Sequence, residues 1–199
     1  MKTVLIVGLV AGVGFMLYQQ SKQSANDPQA ENVIDATKTA IESAMGNSGP
    51  IQDMQTSQAM LNMLSNRETY ASTPYQLADG AGLTWGFGHK QQSGEVAPSY
   101  ISKPDAFAQF ADDVVNRGEK WVKLYVNIDL TQNQFDALVS IAFNMSPQSF
   151  KKFADQVNAG NGIDDMAAQS VAWVAPQYQN GIQNRRNSEM NVFDNGVYA

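Results

Sequence analysis

A glycine-rich and aromatic segment at residues 75–89 most constrains the fold, because the periodic segments on both sides of it are helical. Within it, Asp79-Gly80 is a tight-turn signal, and residues 83–85 have the composition of a strand. A short sheet enclosed by helices is the simplest arrangement of these elements. The pattern predicts an α+β fold that is mostly helical, with a small β-hairpin or sheet near the start of the domain.

Several helices are predicted around this segment. One runs from Ile51 towards Glu68, and two later ones begin at capping motifs that start with Ser102 and Thr131. Pro147 is expected to end the second of these, because proline cannot continue a helix. Further helices are predicted within residues 150–157, 164–174 and 182–193.

The first residues form an uncharged apolar run from Val4 to Tyr18. As a helix it would span roughly 22 Å, which is less than the ~30 Å of a bilayer's hydrocarbon core. Thr3, Gln19 and Gln20 extend it. A cleaved signal peptide is the alternative, but the small-x-small cleavage pattern is poor. We predict that residues 1–22 are a membrane anchor or signal-anchor, a transmembrane helix that precedes the folded domain.

Residues 23–56 are predicted to be a polar linker and an amphipathic helical stalk. The helical pattern of residues 31–46 fits either a plain spacer or a surface that binds a partner protein. If it binds one, residues 31–64 would carry that contact.

Composition excludes several classes of function. The chain has 199 residues, a net charge of −6, no cysteine and one histidine, His89. The absence of cysteine rules out disulfides, a thiolate nucleophile and cysteine-bound zinc. The acidic balance argues against nucleic acid as a partner, since binding phosphates needs clustered lysine and arginine. No metal or other cofactor is predicted.

Glu68 is the candidate catalytic acid. Glycoside hydrolysis needs a carboxylic acid to protonate the leaving oxygen, and a second group to hold water or stabilise the transition state. Such an acid has to be sheltered, and the negative end of a helix favours its protonated form. Glu68 stands at the predicted end of a helix, just before the sheet, although on position alone an ordinary solvated glutamate at a helix end is the more common case.

Three sequence motifs, which follow one another along the chain, strengthen the assignment of Glu68. The first contains Glu68, Tyr75 and the run Thr84-Trp85-Gly86-Phe87-Gly88-His89. The second is the helix from Asp129 to Asn144, and the third is the stretch from Gly181 to Glu189. Together they resemble the phage lysozyme family, the T4-like and lambdoid endolysins of glycoside hydrolase family 24. The resemblance covers about residues 61–193.

The resemblance implies a lysozyme-like fold with an active-site cleft, which would occupy residues 57–199. It implies cleavage of the β-1,4 bond between N-acetylmuramic acid and N-acetylglucosamine in peptidoglycan. Glu68 would be the general acid and Thr84 would help to place the attacking water. Tyr75, Asn144 and Arg185 would bind substrate, and His89 would be structural.

Two positions depart from the family pattern. The family's aspartate lies two residues after the tyrosine, where this chain has Leu77, and Thr69 replaces the usual glycine after the acid. Asp79 either takes the missing catalytic role through an altered turn or only forms that turn. If it only forms the turn, Glu68 could act alone as in a lytic transglycosylase, or the chain could be a non-catalytic virion protein with this fold.

The combined prediction is a membrane-anchored muramidase whose catalytic domain works in the periplasm, or inside or on a virion. Its partners would be peptidoglycan, the lipid membrane through residues 3–20, and other virion proteins through residues 31–64.

Overall fold

A computed structural model describes residues 50–77 and 82–198 of the chain. The predicted anchor, most of the predicted linker and stalk, and Asp79 lie outside these ranges. Among the described residues, no helix is long and apolar enough to cross a membrane.

The described part of the chain is mostly helical and contains one small sheet, as predicted. Its elements in chain order are α1 (Gln58–Ser65), β1 (Ala71–Gln76), β2 (Leu83–Gly86), β3 (His89–Lys90), α2 (Lys103–Val114), a π-helical segment (Val115–Glu119), α3 (Lys120–Tyr125), α4 (Gln132–Phe143), α5 (Pro147–Asn158), α6 (Asp164–Val171) and α7 (Pro176–Asn195).

The sheet is antiparallel with the strand order β1-β2-β3. Thr84, in the middle strand, pairs with Tyr75 on one side and Lys90 on the other. The turn between β2 and β3 needs a left-handed backbone at Gly88, where φ is +82°. Glycine adopts this conformation without the steric penalty that a β-carbon would bring.

Two helix starts follow their capping motifs. The Ser102 hydroxyl accepts a hydrogen bond from the backbone N–H of Asp105 at 3.2 Å. The backbone N–H of Thr131 donates to the Gln134 side chain at 3.0 Å. These contacts satisfy backbone groups that have no partner inside the helix, which is why the sequence pattern locates both starts.

The prediction of a helix from Ile51 to Glu68 is wrong in its first half. The helix begins only at Gln58, after Ser57 as its N-cap. The backbone N–H of Thr56 donates to Glu119 and that of Ser57 donates to Asp136, each at 3.0 Å. These carboxylates hold Thr56 and Ser57 outside the helix, and residues 51–53 form a separate turn, although Ile51 is buried.

Pro147 also acts differently from the prediction. α4 ends at Phe143 with Asn144 as its C-cap, and Pro147 opens α5 instead of stopping α4. Proline suits the first turn of a helix, because the N–H that it lacks has no partner there.

The core is centred on α4, whose Phe135, Leu138 and Ile141 are fully buried. The π-helical segment passes very close to this helix at Gly118. A β-carbon on Gly118 would lie 2.9 Å from the carbonyl oxygen of Val139, closer than real β-carbons approach. Glycine is therefore required where these two elements meet.

Candidate active site

Glu68 lies just beyond the C-terminal end of α1. Its backbone N–H donates to the carbonyl oxygen of Ser65 at 3.1 Å, so the last turn of the helix continues up to it. The residue is half-buried. This position gives the carboxyl group a fixed backbone while leaving part of it accessible.

The turn between β2 and β3 packs against the Glu68 carboxylate. A β-carbon placed on Gly88 would lie 3.5 Å from Glu68 Oε2. Because Gly88 has no side chain, the sheet can approach this close to the acid without covering it. The two ends of the first sequence motif therefore meet in space.

Tyr75 and Thr84 are direct partners on neighbouring strands. The Tyr75 side chain is exposed, whereas Thr84 is buried, with 3% of its surface accessible. Leu77, at the position of the family's aspartate, is exposed just after β1. The roles of Tyr75, Thr84 and Asp79 stay predictions.

His89 is held between two carboxylates. Its Nδ1 lies 2.8 Å from Asp113 Oδ2 and its Nε2 lies 3.0 Å from Glu95 Oε2. Burial lowers the pKa of His89, but the hydrogen bonds to Glu95 and Asp113 outweigh it and leave the pKa above its usual value. With both ring nitrogens engaged, the imidazole is a structural link between β3, the following loop and α2.

A second group of polar side chains includes Arg67, the residue before Glu68, and is called the arginine cluster. It consists of Arg67, Arg185, Arg186 and Glu189. The Glu189 carboxylate is fully buried and accepts from Arg185 Nε at 3.0 Å and from Arg186 Nη1. Arg67 Nη1 lies 4.0 Å from Glu189 Oε1. The cluster connects the residue before the candidate acid to α7.

Residues of α4 complete this network. The Ser140 hydroxyl donates to Glu189 at 2.6 Å, and Arg185 Nη2 donates to the carbonyl oxygen of Ser140 at 3.2 Å. Asn144 Oδ1 accepts from Arg186 Nη2 at 2.9 Å. Asn144 is exposed and holds a buried arginine in place. The binding roles predicted for Asn144 and Arg185 stay predictions.

The second and third sequence motifs are in direct contact, and Arg67, the residue before the first motif, lies 4.0 Å from Glu189 of the third. The first motif contains Glu68 and Gly88, the second Ser140 and Asn144, and the third Arg185, Arg186 and Glu189. The family model of the phage lysozymes matches residues 65–189, which contain all of them. The chain belongs to the phage lysozyme family.

Curated relatives and solved structures agree with this family. The endolysins of Bacillus phage B103 and Lactococcus phage c2 are 28% and 29% identical to the chain over 148 and 152 residues. These matches cover 72% of the chain but only 55% and 62% of the two relatives. The chain thus spans somewhat more than half the length of the curated relatives that it matches.

Two solved structures share the fold. The endolysin from Escherichia coli O157:H7 phage FAHEc1 is 27% identical with a TM-score of 0.59, over 74% of this chain and 98% of that one. The muramidase domain of SpmX from Asticaccaulis excentricus is 29% identical with a TM-score of 0.58, over 70% of this chain and 97% of that one. These likenesses support the lysozyme-like fold that the motifs implied.

Sequence reasoning gave no role to three residues of this site. They are Arg67, Ser140 and Glu189, two of which lie inside the recognised motifs. The position of Arg67 directly before the acid was the available signal. Within residues 50–77 and 82–198, no group of three or more acidic or histidine side chains is placed to hold a metal ion.

Proposed function

We propose that the chain is a glycoside hydrolase of family 24 that cleaves the β-1,4 bond between N-acetylmuramic acid and N-acetylglucosamine in peptidoglycan. The observation that carries the proposal is the position of the Glu68 carboxylate, half-buried at the end of α1 and in contact with the turn at Gly88. The relatives are named endolysins, and one similar structure is a muramidase domain.

In this reaction Glu68 acts as the general acid. It gives its proton to the glycosidic oxygen while the bond from the sugar's anomeric carbon to that oxygen breaks. A water molecule attacks the anomeric carbon and loses its proton to a base. The Thr84 hydroxyl would help to place this water, and the pairing of Thr84 with both β1 and β3 would keep its backbone in a fixed position.

Asp79 is proposed as the base, in place of the family aspartate that Leu77 replaces. The Asp79→Asn variant should lose most of the hydrolytic activity, which release of reducing ends from purified peptidoglycan would measure. Full activity in this variant would remove Asp79 from the mechanism. Products that end in anhydro-muramic acid would instead identify a lytic transglycosylase, in which the sugar's own 6-hydroxyl attacks.

The test of the main proposal is the Glu68→Gln variant, which keeps the shape of the side chain but has no proton to give. We expect turbidity clearing of purified peptidoglycan to fall by about 10²–10⁴-fold, the range typical of a general acid. The control is Asp155→Asn on α5, an exposed carboxylate paired with Lys151. A folded wild type that clears no peptidoglycan would disprove the enzyme, and an active Glu68→Gln variant would disprove the role of Glu68.

The proposed location is a membrane tether formed by residues 3–20, with the catalytic domain in the periplasm or in a virion. Leu9 lies near the middle of this apolar run. A charge at such a position costs about 2.5–3.5 kcal/mol on insertion, so Leu9→Asp should release the chain from sedimented membranes. Equal sedimentation of both chains would argue against the tether. Contacts of residues 31–64 with virion proteins are part of the same proposal.

A further inference from the structure

The arginine cluster carries more positive than negative charge. Three guanidinium groups, from Arg67, Arg185 and Arg186, surround the single buried carboxylate of Glu189. One of the three, Arg67, directly precedes Glu68 along the chain, and the net charge of the whole protein is −6. A local positive field in an acidic protein favours an anionic ligand at that place.

The three arginines differ in how completely they are bound. Arg186 donates to Ser170, Glu189 and Asn144, and its side chain is only 2% exposed. Arg185 donates to Glu189 and to the backbone of Ser140. Both are therefore integral parts of the packing between α4 and α7.

Arg67 is the exception. Its Nη1 is buried without a hydrogen-bond partner in the described part of the chain, because 4.0 Å to Glu189 is too long for a hydrogen bond. Another part of the side chain is exposed, 22% in all, so a ligand can reach the side chain there, although not at Nη1 itself. Burial, followed by repulsion from Arg185, lowers the pKa of Arg67, although Glu189 partly offsets this. The surroundings of Arg67 in the folded protein therefore disfavour its positively charged form.

The position of Arg67 in the chain relates its side chain to the substrate. Arg67 immediately precedes Glu68 at the end of α1. The lactyl carboxyl of each muramic acid in peptidoglycan is either a free carboxylate or joined by an amide bond to a stem peptide, and the stem peptides carry carboxylates of their own. A guanidinium group binds a carboxylate through two parallel hydrogen bonds, which a neutral sugar cannot reproduce.

We propose that Arg67 is a substrate-binding residue that takes a carboxylate of the peptidoglycan strand, from the lactyl group or from the stem peptide, beside the bond that Glu68 protonates. The inference rests on the proposed function. It makes Arg67 a determinant of specificity for the acidic wall polymer over neutral glycans.

The experiment compares wild type with Arg67→Gln and Arg67→Lys on three substrates. The first is purified sacculi, and the second is the same sacculi after their carboxylates have been converted to amides. The third is peptide-free glycan strands, in which removal of the peptides has freed the lactyl carboxylates. Lys151→Gln is the matched control, since it removes the same charge from an exposed site on α5.

On native sacculi, Arg67→Gln should raise KM about tenfold or more with little change in kcat, as expected for lost substrate binding. The KM of Arg67→Lys on native sacculi should lie between the values for Arg67→Gln and wild type. On amidated sacculi, wild type and Arg67→Gln should have the same KM. A KM difference that persists on peptide-free strands would assign the lactyl carboxylate, and one found only on peptide-bearing sacculi would assign the stem peptide.

A thermal melt separates this role from a structural one. Arg67→Gln should melt at or above the wild-type temperature, because it removes a partly buried cation that lies beside two others and, within the described residues, has only a long ion pair with Glu189. A lower melting temperature with equal losses on native and amidated sacculi would overturn the proposal. An unchanged KM on native sacculi would also overturn it while leaving the enzyme in place. A wild type that cleaves none of the substrates would remove the proposed function, and this inference with it.

Discussion

At the scale of single residues, Gly88 meets two separate requirements. Its φ of +82° disfavours any side chain, and its α-carbon faces the Glu68 carboxylate. Gly94 has the same φ of +82°, but a β-carbon on Gly94 would meet nothing within 4 Å. A substitution at Gly94 therefore tests backbone strain alone, whereas the same substitution at Gly88 tests strain together with contact with Glu68.

We expect Gly88→Ala and Gly94→Ala to lose similar stability, about 1–2 kcal/mol each, because both force a left-handed backbone on alanine. Only Gly88→Ala should also lose activity, by about tenfold or more, since its methyl group covers one side of Glu68 Oε2 where substrate must approach. Urea unfolding and clearing of peptidoglycan measure the two effects. Equal activities in the two variants would mean that Gly88 serves the turn alone.

The sequence identified Glu68 but not Arg67, although the two are neighbours. Glu68 belongs to a motif whose spacing is visible along the chain. Among the described residues, Arg67 Nη1 lacks a hydrogen-bond partner because of how Arg185 and Glu189 are arranged on α7. No local sequence pattern encodes that arrangement. Buried charge networks of this kind become visible only when the tertiary contacts are known.

At the scale of elements, the contact between the π-helical segment and α4 depends on Gly118. Alanine there would place its β-carbon 2.9 Å from the Val139 carbonyl oxygen. We expect Gly118→Ala to lower the free energy of unfolding by about 1–3 kcal/mol through overpacking, as measured by urea unfolding.

Gly181 inside α7 is the matched control, because its β-carbon would meet nothing within 4 Å. Alanine at that position should raise the free energy of unfolding by about 0.5–1 kcal/mol, since glycine is a poor helix former. The same substitution should thus have opposite signs in the two helices. A gain in stability for Gly118→Ala would contradict the close approach.

Helix starts were predictable where the signal is local. The caps at Ser102 and Thr131 involve side chains only three residues away. The start of α1 was not predictable, because Glu119 and Asp136 hold Thr56 and Ser57 from distant parts of the chain. The periodic spacing of apolar residues continues back to Ile51. A prediction that uses this spacing alone therefore starts the helix before Gln58, where it begins in the structure.

At the scale of the whole molecule, His89 makes stability depend on pH. Because its folded-state pKa is raised above the ordinary value of 6.5, the protonated form favours folding. This contribution is complete below about pH 6.5 and is lost as the pH rises through the folded-state pKa. The free energy of unfolding from urea titrations should therefore fall as the pH is raised from about 6.5 through that pKa.

His89 is the single histidine of the chain, so His89→Gln should remove this fall. Glu95 acts in the opposite direction, because hydrogen bonds from His89 and Gln92 lower its pKa. Its contribution is present above about pH 4.5 and is lost as the pH falls through the folded-state value. A fall in stability that persists in His89→Gln would assign the pH dependence to another group.

The carboxylates that hold Thr56 and Ser57 have a mechanical consequence. Any tension applied to the chain ahead of residue 50 reaches these hydrogen bonds before it reaches α1. Glu119 and Asp136 are anchored in the packed helices and would bear that load. A pull from the N-terminal side would therefore load these contacts, and the elements that carry Glu119 and Asp136, before it loads the backbone that leads to Glu68.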